Sequence, residues 1–303
     1  MNGAIIVALV VFFNIFAPDY ALLWSGRAYV LGILFTTAVL VLTNPSVLSF
    51  QEAGSRFGDQ ELLHPNSLGI AYGVALMYLL FIRIYRARFL QVGPSIVVAV
   101  ALLATFSKTA IAGTLLAVVL AFWSLRGAQR WLLTFLVFFT ALAVTLLIGN
   151  YLTSQLQTYL DAGHAETLSG RTLLWSWVLD QVVERPILGY GYLVIKDMTA
   201  LDPRFSSWTT SIVHAHNAYF DVLFSSGYVG LGCFFLFWLY CLKLLFSGVI
   251  RLGNSTVKAY LLATFFLLTV RSFTEAGLNL RFDFWIALAC GLALEKSLCT
   301  RRR

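Results

Sequence analysis

The chain has 303 residues, of which 59% are hydrophobic and 12% charged, with a mean hydropathy of +0.82 and a formal net charge of +7. That much apolar side chain exceeds what a soluble core of this size can hide, which excludes a soluble fold. The basic balance is therefore a question of membrane topology, and nucleic acid is not an expected partner whereas the lipid bilayer is.

Apolar runs approaching the ~20 residues needed to cross a bilayer predict spans at 4–17, 28–43, 67–82, 93–106, 109–125, 131–149, 226–247, 258–273 and 283–298. The expected fold is all-α: a polytopic membrane helical bundle of about nine transmembrane helices, with one long external loop carrying short helices. The first run is short, contains Asn14 and ends at Pro18. It lacks the basic start and small-residue cleavage site of a signal peptide.

Lys and Arg collect on alternate connections, as they do on cytoplasmic loops. Arg27, Arg83, Arg86, Arg88, Arg126, Arg130, Lys243, Arg251, Lys258, Lys296 and Arg301 to Arg303 fall on one side. Those are 13 of the 21 basic residues, accompanied only by Asp19 and Glu295 of the 14 acidic ones. The opposite, external side then takes the loop 44–66 and the segment 150–225. This gives three expected regions: amino-terminal spans in 1–149, an external loop in 150–225, and carboxy-terminal spans with a basic cytoplasmic tail in 226–303.

Cys233, Cys241, Cys290 and Cys299 lie in spans or at the cytoplasmic end without a CxxC pair, so packing roles and no structural disulfide are expected. No internal repeat is evident, and charges inside spans are nearly absent. Lys108 and Arg271 are the exceptions, each near an external helix end. A coupled carrier would hold ionisable groups at mid-depth. Chemistry is accordingly expected at the external surface.

All four histidines, His64, His164, His214 and His216, fall on that side. His64 reads as a cap for the third span, with Pro65 and Asn66. Within the long loop, RTLLWSWVLDQVV from Arg171 carries apolar residues at 173, 174, 177, 178 and 182, a helical spacing, and Pro186, Gly189 and Gly191 then stop and turn the chain. A second short helix is predicted from Asn217, a good N-cap, to Gly227. His216 then stands at a helix amino terminus, where partial positive charge disfavours the imidazolium and attracts anions. A neutral imidazole there can accept a proton, and Arg171 can offer a phosphate the bidentate contact that a Lys cannot.

Competing readings accompany each residue. Arg171 can pair with Glu166 or Asp180 at a helix start. His214 and His216 form an HxH pair that could ligate a metal if Asp221 joined them, although no metal site and no cofactor is expected. Trp175, Trp177, Tyr190, Tyr192 and Tyr219 suit either sugar stacking or interfacial anchoring.

HAHNAYFDVLFSSGYVG, residues 214–230, resembles the signature of the bacterial O-antigen ligase and O-antigen polymerase superfamily, a His, then Asn, Ser or Gln, nine residues, Gly, two residues, and Gly, Thr or Tyr. His216, Asn217, Gly227 and Gly230 match each specified position. SGRTLLWSWVLDQVVERPILGYGY, residues 169–192, looks like the other external block of that family, and the resemblance covers roughly 55–298. HPNSLG and RSFTEAGL, residues 64–69 and 271–278, look more like its exopolysaccharide polymerase branch. Members have about twelve spans, so this chain reads as shortened at its amino end. A Ser-Arg pair often found in the family appears as Ser107 and Lys108.

The resemblance implies an inverting, metal-independent membrane glycosyltransferase in the bacterial inner membrane, with the long loop periplasmic. Its donor would be an undecaprenyl-pyrophosphate-linked glycan, and its acceptor a glycan, the lipid A core or another hydroxyl. His216 would act as base or acceptor-orienting group and Arg171 as the pyrophosphate contact. Lys108, Arg271, Arg281, Asn217 and His214 would bind substrate. Two other classes stay open at this point, a carrier of lipid-linked glycan and a non-catalytic assembly subunit.

Overall fold

A computed structural model describes residues 18–43, 57–58, 64–82, 84–85, 87–125, 127, 130–131, 134, 171–206, 212–251 and 255–273. The expected spans at 4–17 and 283–298, nearly all of that at 131–149, and Arg281 and His164 lie outside these residues. Every regular element among the described residues is helical: α1 (Pro18–Thr43), α2 (Pro65–Phe81), α3 (Val92–Ala104), α4 (Lys108–Ser124), α5 (Arg171–Glu184), α6 (Val194–Leu201), α7 (Ala218–Arg251) and α8 (Ser255–Ser272). Short 3₁₀ turns occupy Arg88–Gln91 and Pro203–Phe205. Two stretches, Leu22–Thr43 and Ala218–Lys243, are long and apolar enough to cross a membrane, and Pro65–Phe81, Val92–Ala104 and Lys108–Phe122 are shorter apolar helices.

The described residues divide into two compact units, one within Met1–Asp161 and Leu244–Leu268, the other within Ala162–Lys243 and Thr269–Arg281. In the first unit α2 is the central helix, packed against α1, α3 and α4. Its apolar residues run all the way round rather than along one stripe, and almost every side chain from Leu68 to Phe81 is buried, as a helix enclosed on all sides requires. It begins as expected: Pro65 takes the first helical position, where no N–H is needed, and the Nδ1 atom of His64 accepts the Asn66 N–H at 3.3 Å. At its other end the Gln91 amide donates to the carbonyls of Leu79 and Ile82, tying the end of α2 to the start of α3.

The second span departs from expectation. Its helix already runs at Pro18, the first residue described there, rather than beginning near 28. Arg27 therefore lies within α1 instead of in a flanking loop. Its Nε donates to the Ile84 carbonyl at 2.8 Å and its guanidinium lies 5.1 Å from the Trp24 ring centroid, so the helix carries the charge without leaving it bare.

The second unit is built on α5. Leu174, Trp177, Val178 and Val182 form its buried face, with Phe205 and Phe224 among the residues packed on it. Leu173, counted by spacing with that face, is exposed. Trp177 stacks on Phe224 at 5.5 Å, meets Phe205 edge-on at 5.8 Å, and donates its indole N–H to Asp202 at 2.8 Å. It is a core residue and neither a sugar platform nor an interfacial anchor. The two free cysteines among the described residues are Cys233 and Cys241.

Candidate active site

The loop 212–217 and the first turns of α7 carry the histidine block. Asn217 caps α7 as its sequence suggests: Oδ1 accepts the N–H groups of Tyr219 and Phe220 at 2.9 and 3.2 Å. Its Nδ2 donates to the Phe273 carbonyl at 3.0 Å. Both ends of the Asn217 amide are thus engaged in shaping the site, and the side chain is buried. Ser272, at the end of α8, donates to the Tyr219 hydroxyl at 3.0 Å, and Tyr219 packs against Phe273 with ring centroids 4.8 Å apart. These contacts bring the α8 end, and with it the buried Arg271, to the start of α7.

His216 immediately precedes the cap and has φ +52, a left-handed conformation uncommon for a residue with a Cβ. Such strain persists only where the surroundings over-determine it. Here the neighbouring Ala215 peptide is held on both sides. Its carbonyl accepts the Trp175 indole N–H at 2.8 Å, and its N–H donates to Asp221 Oδ1. Asp221 also lies within electrostatic reach of His216. The His214 and His216 rings meet edge-on with centroids 4.4 Å apart. Among the described residues, no group of three or more His, Cys, Asp or Glu side chains could hold a metal ion.

Arg171 opens α5, one turn before Trp175, so the helix that bonds the histidine loop also carries this arginine on the same side. Asp180, one of its possible partners, is taken by Arg204 at 3.3 Å. Arg204 also binds Asp202 at 2.9 Å, and this contact, the Arg204 backbone N–H and the Trp177 indole hold the Asp202 carboxyl well below the usual carboxylate range. Lys108 belongs to the first unit. It opens α4 behind Ser107, and its ammonium stands 5.7 Å from the Phe106 ring centroid.

The two sequence blocks interlock at Gly227. There α7 kinks, with φ 63 and ψ −163, a region open essentially to glycine alone. The turn 186–191 docks into the kink through four backbone hydrogen bonds. Tyr190 N–H donates to Phe224 at 2.9 Å, Gly191 to Ser225 at 2.9 Å, Tyr228 to Pro186 at 2.7 Å and Val229 to Ile187 at 3.3 Å. A Cβ at Gly189 would sit 2.4 Å from the Phe224 oxygen, and one at Gly227 2.3 Å from that of Ile187. The glycines expected to stop two separate helices also let their backbones touch. Sequence reasoning missed this clasp and the Trp175 and Asp221 contacts to Ala215. The spacing of Asn217 and Asp221, one helical turn apart, was the available signal for the second.

Two stretches long and apolar enough to cross a membrane and, within the second unit, a left-handed histidine just before a capped helix start are the features an all-helical membrane family with a site at a helix amino terminus would show. Residues 93–235 match the model of the family described as O-Antigen ligase. A segment of 108 residues is 24% identical to a "putative polysaccharide ligase" of Rickettsia conorii, covering 31% of this chain and 26% of that protein. Both matches support the O-antigen ligase family for this chain, which spans about a quarter of the length of the curated relative it matches.

Proposed function

We propose that the chain is a glycan-transferring enzyme of the ligase or polymerase type, using an undecaprenyl-pyrophosphate-linked glycan at the outer face of the bacterial inner membrane. In this reading 150–225 is periplasmic and the carboxyl terminus cytoplasmic. The observation that carries it is the left-handed His216, set at the start of a capped helix on a loop bonded to the Arg171 helix.

The acceptor hydroxyl oxygen forms a bond to the anomeric carbon of the donor sugar. The bond from that carbon to the phosphate oxygen breaks, with inversion, and the lipid pyrophosphate leaves with the electron pair. His216 takes the hydroxyl proton or orients the acceptor, with His214 beside it. The leaving group requires positive charge, which Arg171 supplies in bidentate form and Arg271 and Arg281 supplement. Asn217, a substrate-binding residue in this reading, also caps the helix behind His216. The blocks at 64–69 and 271–278 favour polymerisation of a lipid-linked glycan over ligation to lipid A core.

The test is donor affinity and single-turnover transfer in nanodiscs. General-base contributions are typically about 100- to 10,000-fold, so His216→Ala is expected to bind donor and transfer poorly. Arg171→Ala is expected to lose transfer and weaken donor binding, with Arg171→Lys recovering only part. Wild-type transfer by His216→Ala would remove His216 from the mechanism. A chain that binds donor but never transfers, whatever the acceptor, would instead be a carrier or an assembly subunit.

A further inference from the structure

The turn that docks into the Gly227 kink leaves its apolar side chains open. Ile187 is 65% exposed, Leu188 73% and Tyr192 74%. None is needed by the core of the second unit, which Tyr190 completes by stacking on Phe224 at 5.0 Å. The turn is also not free to fold these side chains away. Its backbone is held from Pro186 to Gly191 by the four bonds to residues 224–229, and Gly189 and Gly227 admit no adjustment.

What lies next to this patch identifies its partner. The bonds from Tyr228 to Pro186 and from Val229 to Ile187 set the turn beside Tyr228, 61% exposed, and Val229, 53% exposed. From there the exposed apolar surface continues through Phe235, Leu236 and Leu239 along α7, within the stretch Ala218–Lys243 that is long and apolar enough to cross a bilayer. The patch is thus continuous with a surface whose chemistry is that of a lipid-facing helix. Its basic neighbours suit phospholipid headgroups: Arg185 lies 5.0 Å from the Tyr190 ring centroid and Lys196 is exposed. Of the acidic neighbours, Glu184 is engaged by the Tyr190 hydroxyl at 2.9 Å, and Asp197 stands exposed beside Lys196, toward the water. A tyrosine and aliphatic side chains beside basic groups form the usual composition of a membrane-water boundary.

We propose that the turn 186–193 is a wedge seated in the phospholipid interface at the Gly227 kink of α7, with Ile187, Leu188 and Tyr192 among the acyl chains and headgroups. Through the clasp it holds the kinked start of α7 at a set depth, and this requires no assumption about catalysis. Its partner is bulk phospholipid rather than a second copy of the chain or the tail of a single bound lipid.

The test places an environment-sensitive fluorophore, in the full chain in nanodiscs with native cysteines replaced by alanine, at Ile187→Cys, Leu188→Cys and Tyr192→Cys. The exposed Asp197→Cys serves as the aqueous control. Blue-shifted emission at the three turn positions, quenched by lipids doxyl-labelled near the headgroup and shielded from iodide, is the expected result. In the unmodified chain, a phospholipid carrying a diazirine is expected to label peptides containing 186–193. Iodide quenching equal to that at 197, with no lipid quenching and no photolabelling, would overturn the proposal. So would shielding that appears only at high protein density, the mark of a second copy, or only when a lipid-linked glycan is added.

Discussion

Gly227→Ala tests the clasp between the two external blocks. At φ 63 and ψ −163 an alanine costs about 1–3 kcal/mol in backbone strain alone. Its Cβ would stand 2.3 Å from the Ile187 oxygen, 2.4 Å from the Ile187 carbonyl carbon and 2.6 Å from the Pro186 oxygen, so the turn must lift away from the kink. Lifting it breaks at least the Tyr228 to Pro186 and Val229 to Ile187 bonds, each contributing about 0.5–1.5 kcal/mol net. The expected loss is roughly 2–6 kcal/mol, a large part of the ~5–15 kcal/mol by which proteins are stable. Thermal unfolding of the detergent-purified protein, read by loss of monodispersity, is expected to fall by several degrees, with new proteolysis in the 185–193 turn. Gly232→Ala is the control: nothing lies within 4 Å of its Cβ position, and in a helix alanine is favoured over glycine by up to ~1 kcal/mol. Gly189→Ala is expected to resemble Gly227→Ala, and the double variant to cost less than both together, since one clasp is broken in each case. If Gly227→Ala unfolded at the same temperature as Gly232→Ala and resisted protease equally, the clasp would have no energetic weight and the reasoning would fail.

Trp175→Phe keeps the ring against Phe220 but removes the indole donor to Ala215; transfer is expected to fall about 5- to 10-fold, as about 1 kcal/mol of positioning would give, with donor affinity nearly unchanged and the unfolding temperature lowered by no more than a few degrees. An unchanged rate would mean the His216 conformation does not depend on that bond. If positive side chains neutralise the pyrophosphate, transfer is expected to survive exhaustive EDTA treatment; loss with rescue by a divalent ion would replace the arginines with a metal. Reporter fusions after residue 165 and at the carboxyl terminus are expected to report opposite sides of the membrane, and the same side for both would invert the reading of the basic residues.

The helical membrane class was legible because it rests on local quantities: apolar run length, the 3.6-residue period and turn chemistry. The same holds for His64 before Pro65, for Asn217 as a cap and for the end of α5, each decided within about one helical turn. The start of α1 was misplaced because Arg27 reads as a loop charge until the Ile84 carbonyl is found to accept it, and that residue is 57 positions away.

What the residues at the site do to one another was a matter for the tertiary structure. Trp175 and Ala215 are 40 residues apart, Asn217 and Phe273 56, and the Gly189 turn meets Gly227 across a whole helix and loop. Sequence spacing limits which neighbours a residue can have within a turn or two, but says nothing of pairings made when the chain returns on itself. His216 was recognisable as a residue of interest from its motif. Its left-handed backbone, and the indole and carboxylate that hold the peptide beside it, exist only because α5, the loop and α7 close on one buried alanine.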